Sequence, residues 1–213
     1  MVLTSCLHDA VEQKHRDLVH AMLQRGFPPS HVAILPAVRA SDTATLKIFL
    51  DHGWEVNGWA EKGREIRPPL QYAVLANLTD LRQFLLAHGA NPNFPNNNGW
   101  TALEFAAGEA SIEVVLELLD HGGNPAIDDS LIHAAGHGRL DVAKLLLERG
   151  AVINALPKQL PLPWGQVRRA NALEAAMQRN HQHMVQWLKG HGATARDGSL
   201  NPSGHYHGYH ITG

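Results

Sequence analysis

The sequence predicts an all-α solenoid built of stacked helical hairpins. Three observations carry that expectation. First, a Leu or Ile, an Ala three residues later and a Gly sixteen beyond that recur six times, at Leu7/Ala10/Gly26, Ile34/Ala37/Gly53, Leu70/Ala73/Gly89, Leu103/Ala106/Gly122, Leu131/Ala134/Gly150 and Leu173/Ala176/Gly192. Second, spacing inside each unit is constant while spacing between units varies, as expected when each unit buries its apolar face only against its neighbours. Third, the residue twelve after each Ala is always apolar: Met22, Phe49, Leu85, Leu118, Leu146 and Leu188.

The first helix of each unit is built around the Ala. The next residue is Val11, Val38, Val74, Ala107, Ala135 or Met177, which completes a Leu-x-x-Ala-apolar stripe on one helical face. A small side chain there lets neighbouring helices approach, and a larger one would overpack the contact. Four residues after the Ala come Lys14, Ser41, Asn77, Ala110, Gly138 and Asn180. Gly or Asn at three of these six places suits a left-handed turn between two helices. The second helix carries the apolar residue at the twelfth place, followed by Leu in five units and by Lys189 in the sixth. A Lys there suits an outer face with no further repeat to cover it. Gly closes the unit, because its tolerance of positive φ ends the helix. The repeats account for residues 1–195, and 196–213 form a tail rich in Gly, Ser, Asn, His and Tyr.

Composition bounds the function. The formal charge of −2 and pI near 6.7 give no global basic character of the kind nucleic-acid binders carry. A single cysteine, Cys6, forbids an intrachain disulfide and suits a reducing compartment, so an intracellular place, cytoplasmic or nuclear, is expected. The N-terminus enters the first repeat without a basic segment and long apolar run, and no apolar stretch approaches the roughly 18 residues that span a bilayer. No membrane association is expected. The sequon at Asn77 falls in a helix-to-helix turn, which argues against its use.

This arrangement resembles the ankyrin repeat. The resemblance is carried by the run Gly99 to Ala107 (GWTALEFAA), by His137 to Ala151 (HGRLDVAKLLLERGA) and by Leu85 to Asn93 (LLAHGANPN). It implies a curved stack with inner helices lining a concave groove, outer helices behind, and short β-hairpin or loop fingers at the junctions. It also implies an adaptor or regulator that binds other proteins, with no family active site to carry over.

The junctions depart from a uniform step. From closing Gly to the next Leu or Ile the steps are 8 (Gly26 to Ile34), 17 (Gly53 to Leu70), 14 (Gly89 to Leu103), 9 (Gly122 to Leu131) and 23 (Gly150 to Leu173). The 8- and 9-residue steps are too short for a hairpin, so those fingers are expected to be missing or reduced to turns. The enlarged junction at 54–69 carries Trp54, Trp59, Arg64 and Arg67. The one at 151–172 carries Trp164, Lys158, Arg168 and Arg169 and no acidic residue. Long loops on a rigid scaffold often hold function. In the first loop the cations are offset by Glu55, Glu61 and Glu65. Trp54, Trp59 and Trp164 either pack back on the stack or, for Trp59 and Trp164, serve as interface anchors, and Arg168 and Arg169 would suit an acidic or phosphorylated partner.

Most of the histidines have a structural reading. His52, His88, His121 and His191 each precede a closing Gly, where the helix C-terminus favours a donor. By the family pattern His8 ties neighbouring turns. The family pattern also places Tyr72, Leu75, Glu104, Phe105, Glu109, His133, His137, Glu174 and Arg179 on the groove. These could line a peptide-binding wall, bond between repeats, or form a small-molecule or catalytic pocket around Tyr72, Glu104, Phe105 and His133, since His beside a carboxylate can move protons. No zincin helix, phosphate loop, nucleophile elbow or paired-cysteine motif occurs, and no cofactor is expected. In the tail His205, His207 and His210 are weak candidates for a Zn, Cu or Ni site, against a mobile tail or one docked through Tyr206 and Tyr209. The expected function is therefore non-enzymatic: a monomeric module that binds a protein or peptide through groove and loops. An enzyme or small-molecule binder is the alternative, and a structural subunit of a larger assembly a third reading.

Overall fold

The computed structural model describes residues 2–58, 67–158 and 170–196. Twelve helices lie in these segments as six consecutive pairs: α1 (Val2–Glu12) with α2 (Arg16–Gln24), α3 (His31–Arg39) with α4 (Thr43–Asp51), α5 (Pro69–Leu75) with α6 (Thr79–Ala87), α7 (Ala102–Glu109) with α8 (Ile112–Asp120), α9 (Ser130–Gly136) with α10 (Leu140–Glu148), and α11 (Ala172–Gln178) with α12 (Gln182–Gly190). Among the odd-numbered helices α1 packs on α3, and α5, α7, α9 and α11 pack in order; in the second row α4 packs on α2 and α6, and α8 on α10. No strand occurs among the described residues, so the fingers found there are turns.

The repeated residues make the core. None of the twelve Leu/Ile and Ala anchors is more than 4% exposed, and five of the six apolar residues at the twelfth place are fully buried. All belong to one apolar cluster, together with Trp54, which packs back onto the stack. The closing glycines have φ between +84° and +97°. A Cβ added at any of the six would meet nothing within 4 Å, so the backbone angle, not crowding, requires Gly.

The turn between paired helices is more uniform than its residues suggest. Lys14, Ser41, Asn77, Gly138 and Asn180 all have positive φ, between 51° and 68°. Lys14 and Ser41 thus adopt a conformation that costs an ordinary residue about 1 kcal/mol. Ala110 is the exception: it is extended, with φ −84° and ψ 169°. Four histidines cap the second helices as expected. Nδ1 of His52, His88, His121 and His191 donates to the carbonyl oxygen four residues back, at 2.8–2.9 Å.

Three asparagines stitch neighbouring units together. Asn57 Nδ2 donates to Gly89 O while its Oδ1 accepts from Asn91 N. Asn93 does the same with Gly122 O and Asn124 N, and Asn154 with Gly192 O and Thr194 N. Each stands four residues after a closing Gly. At the two short junctions that place holds Ser30 and Ala126, and those seams are held by other bonds. His8 Nδ1 reaches Val32 O, and Arg16 pairs with Asp42, across the first.

Candidate functional site

In four of the six units the residue after the Leu, His8, Gln71, Glu104 or Glu174, bonds across the seam. Gln71 Nε2 donates to Trp100 O and Phe94 O, in the lead to the next unit. Glu104 Oε2 accepts from Thr101 N, closing a capping box at the start of α7, and Oε1 accepts from Asp129 N and from Lys158 Nζ. Glu174 caps α11 in the same way with Asn171 and binds the Arg196 backbone and guanidinium. Glu104 and Glu174 are 2% and 3% exposed. Of the roles open to them, both take that of hydrogen-bond partners between units: a helix terminus has unpaired N–H groups, and these carboxylates accept from them.

Below α7 the carboxylates are crowded. Asp128 accepts from Thr101 Oγ1 and Ser130 N, and Asp129 accepts from Lys158 N. Burial pushes the Asp128 carboxyl above the ordinary range; hydrogen bonds from Ser130 and Thr101 oppose this, and the nearby Glu104 adds to it. Lys158 supplies the local positive charge, donating also to Gly99 O.

Above this base an open cleft of about 540 Å³ runs along the odd-numbered helices. It brings together Arg67, Leu75, Phe105, Glu109, His133, His137 and Arg179, with only an edge of Glu104. The floor is aromatic. Trp100 lies 5.0 Å from the Phe105 ring and 4.6 Å from the His133 ring, centroid to centroid, and Arg67 covers Phe105 at 5.7 Å. His137 caps α9, its Nδ1 bonded to His133 O, and its ring lies against Gly108, where a Cβ would come within 3.2 Å. Gly108 therefore lets the imidazole reach the cleft wall.

Tyr72 is half-buried against the core and does not line the cleft. Glu104, Phe105 and His133 thus share the cleft without Tyr72, and both Glu104 oxygens already accept hydrogen bonds within the seam. Trp59, Arg64, Trp164, Arg168 and Arg169, and the tail histidines His205, His207 and His210, lie outside the described residues. Among the described residues His8, Asp9 and Glu12 are the one group placing three metal-ligand-type atoms within 4.8 Å, on a single exposed helical turn. Trp100 was missed by the sequence reading. Its signal was its place immediately before the Thr101 cap, in the lead that the seam bonds hold across the groove.

A family model described as ankyrin repeats (3 copies) matches residues 37–129 and 70–157, together more than half of the chain. The chain belongs to the ankyrin-repeat family. Among similar proteins, an ankyrin repeat-containing protein of Treponema pallidum is 28% identical over 164 residues, covering 61% of this chain and 54% of that protein. The B-cell lymphoma 3 protein homolog of Mus musculus is 29% identical over 177 residues, covering 79% of this chain and 37% of its own. The ankyrin repeat, SAM and basic leucine zipper domain-containing protein 1 of Bos taurus is 28% identical over 131 residues, with 53% and 28% covered. The chain spans about half or less of the length of these relatives. Ankyrin repeats are protein-interaction modules, and this ankyrin stack has no described helix long and apolar enough to cross a membrane.

Proposed function

We propose that this chain binds a protein partner by receiving one of its peptide segments along the cleft, without catalysing a reaction. The supporting observation is the convergence of seven side chains from the third to sixth units on one open, aromatic-floored surface. Seam bonds and capping boxes hold that surface in place before binding, so little ordering entropy is lost on association. The stack of residues 1–195 acts as one monomeric binding unit, with 196–213 as an appended tail. The junction loops extend the contact: Trp59 and Arg64 precede Arg67, and Trp164, Arg168 and Arg169 follow Lys158. The cations of the second loop suit an acidic or phosphorylated surface. Work inside the cell, in cytoplasm or nucleus, is part of this reading, since the single cysteine, Cys6, is exposed and unpaired.

A photo-crosslinking amino acid placed at His137 in the cleft, or at the exposed Lys144 on α10, tests the placement. After irradiation in cell extract, mass spectrometry should identify a protein attached through position 137 and absent at position 144. Capture at 144 alone, or none at 137, overturns the groove assignment.

A further inference from the structure

We propose that the cleft selects a carboxylate-bearing peptide in which one large apolar residue is flanked on both sides by acidic residues. This rests on the groove reading above and adds to it the chemistry of the partner. The cleft has a charged group at each end and an aromatic middle. Arg67 covers the outer edge of the Trp100, Phe105 and His133 floor, and Arg179 caps α11 at the far end. Neither guanidinium has a carboxylate partner among the described residues, whereas the charge of Glu104 is matched by Lys158. The chain's net charge is −2, so this positive character is local to the cleft.

A guanidinium laid on an aromatic face is fixed in direction and poorly hydrated on one side, which prepares its donors for a planar carboxylate. A dianionic phosphate is usually met by a cluster of arginines. Here the two stand apart, each suited to a single negative charge. Between them the exposed Glu109 lies beside Gly108, where a second carboxylate would be repelled but a peptide N–H would find an acceptor. Acidic residues are thus favoured at the ends of the bound segment and disfavoured between them. The Phe105 and Arg179 positions are two helix packings apart, from α7 over α9 to α11. At roughly 10 Å per packing the span is about 20 Å. An extended peptide covers it with about 6 residues.

The test is a random decapeptide library displayed on phage, selected in parallel on the full chain, on the double variant Arg67→Glu/Arg179→Glu and on Phe105→Ala. Affinities of recovered peptides are then measured by fluorescence anisotropy. Circular dichroism melts check that each variant is folded, and Arg67→Gln/Arg179→Gln replaces the charge reversal if it is not. The full chain is expected to recover peptides with Asp or Glu about 6 residues apart around a large apolar residue. Replacing those acids with Asn or Gln should weaken binding at least tenfold, and the double variant should lose the motif. Neutral or basic peptides that depend on Phe105 would overturn the acidic specificity while leaving the groove reading intact. Peptides indifferent to Phe105, or none at all, would overturn both, and preference for a phosphorylated version of a recovered peptide would replace carboxylate with phosphate.

Discussion

Replacing Glu104 by Ala should be among the most destabilising single changes in the molecule, although the side chain reaches the edge of a binding cleft. The Glu104 half of the capping box is the bond from the Thr101 amide, so its loss is contained in the cost of that amide. The amides of Thr101 and Asp129, both buried, then lose their acceptor, at about 1–3 kcal/mol each. Lys158 loses its ion-pair partner as well, but its side chain is 27% exposed and water can take over, so this adds little. A total of about 4 kcal/mol is expected, a large share of the roughly 5–15 kcal/mol that a folded domain holds. Glu104→Gln keeps one acceptor but sets an amide NH2 against a donor, and about half that loss is expected. Glu109, one turn on and exposed, provides the control; Glu109→Ala should stay within about 0.5 kcal/mol. Urea unfolding followed by far-ultraviolet circular dichroism measures all three, with the slope checked for a change in cooperativity. Should Glu104→Ala unfold within 1 kcal/mol of the parent, the Glu104 carboxylate does not hold the seam and is free to meet a ligand in the groove.

Asp42 and Asp128 should respond to acid in opposite senses. Burial opposes the charge of Asp42, but hydrogen bonds from Thr45 and the Arg16 pair outweigh it and hold the carboxyl below its ordinary value. Its stabilisation is therefore present at neutral pH and lost as pH falls through that lowered value, so Asp42→Asn should flatten the acid limb of a stability profile. For Asp128 the folded value is raised, so the parent gains stability as pH falls through it toward the ordinary carboxylate range; Asp128→Asn should remove that gain in unfolding measured at stepped pH. Asn154→Ala removes both bonds to Gly192 and Thr194 and should cost about 1 kcal/mol, with hydrogen exchange faster in α12 and unchanged in α7. Gly138→Ala should cost about 1–3 kcal/mol in thermal or urea unfolding, because φ is +68° and the new Cβ would lie 2.7 Å from His181 Nδ1.

The fold was legible because packing repeats the same residue types. Leu103 and Ala106 have the same role as Leu131 and Ala134, so spacing alone exposed them, and the histidines before the closing glycines followed from one helix-end rule. The seam position was not legible in that way. His8, Gln71, Glu104 and Glu174 do one job with three chemistries, a ring nitrogen, an amide and a carboxylate, so no repeated letter marks them. The left-handed turn was half hidden for a similar reason: Lys14 and Ser41 adopt it because the flanking helices impose it, against their own preference. The asparagines 57, 93 and 154 were readable, each four residues after a closing Gly, yet their meaning needed the bond across the junction. For the cleft, Phe105, His133, His137 and Arg179 followed from position in the unit. Trp100 did not, since it lies in a lead segment whose path depends on bonds to Gln71 and Asn96.

Repeat proteins are prized as cassettes, since a unit that touches only its neighbours can be deleted, duplicated or grafted. Lys158 breaks that rule here. It belongs to the junction between the fifth and sixth units, yet its ammonium bonds Gly99 O and Glu104 of the fourth, passing over the fifth. The fourth and fifth units thus share a tie that starts beyond both, and a shuffled copy of the fifth cut before residue 158 would arrive without the backbone N–H that bonds Asp129 and the ammonium that reaches Glu104.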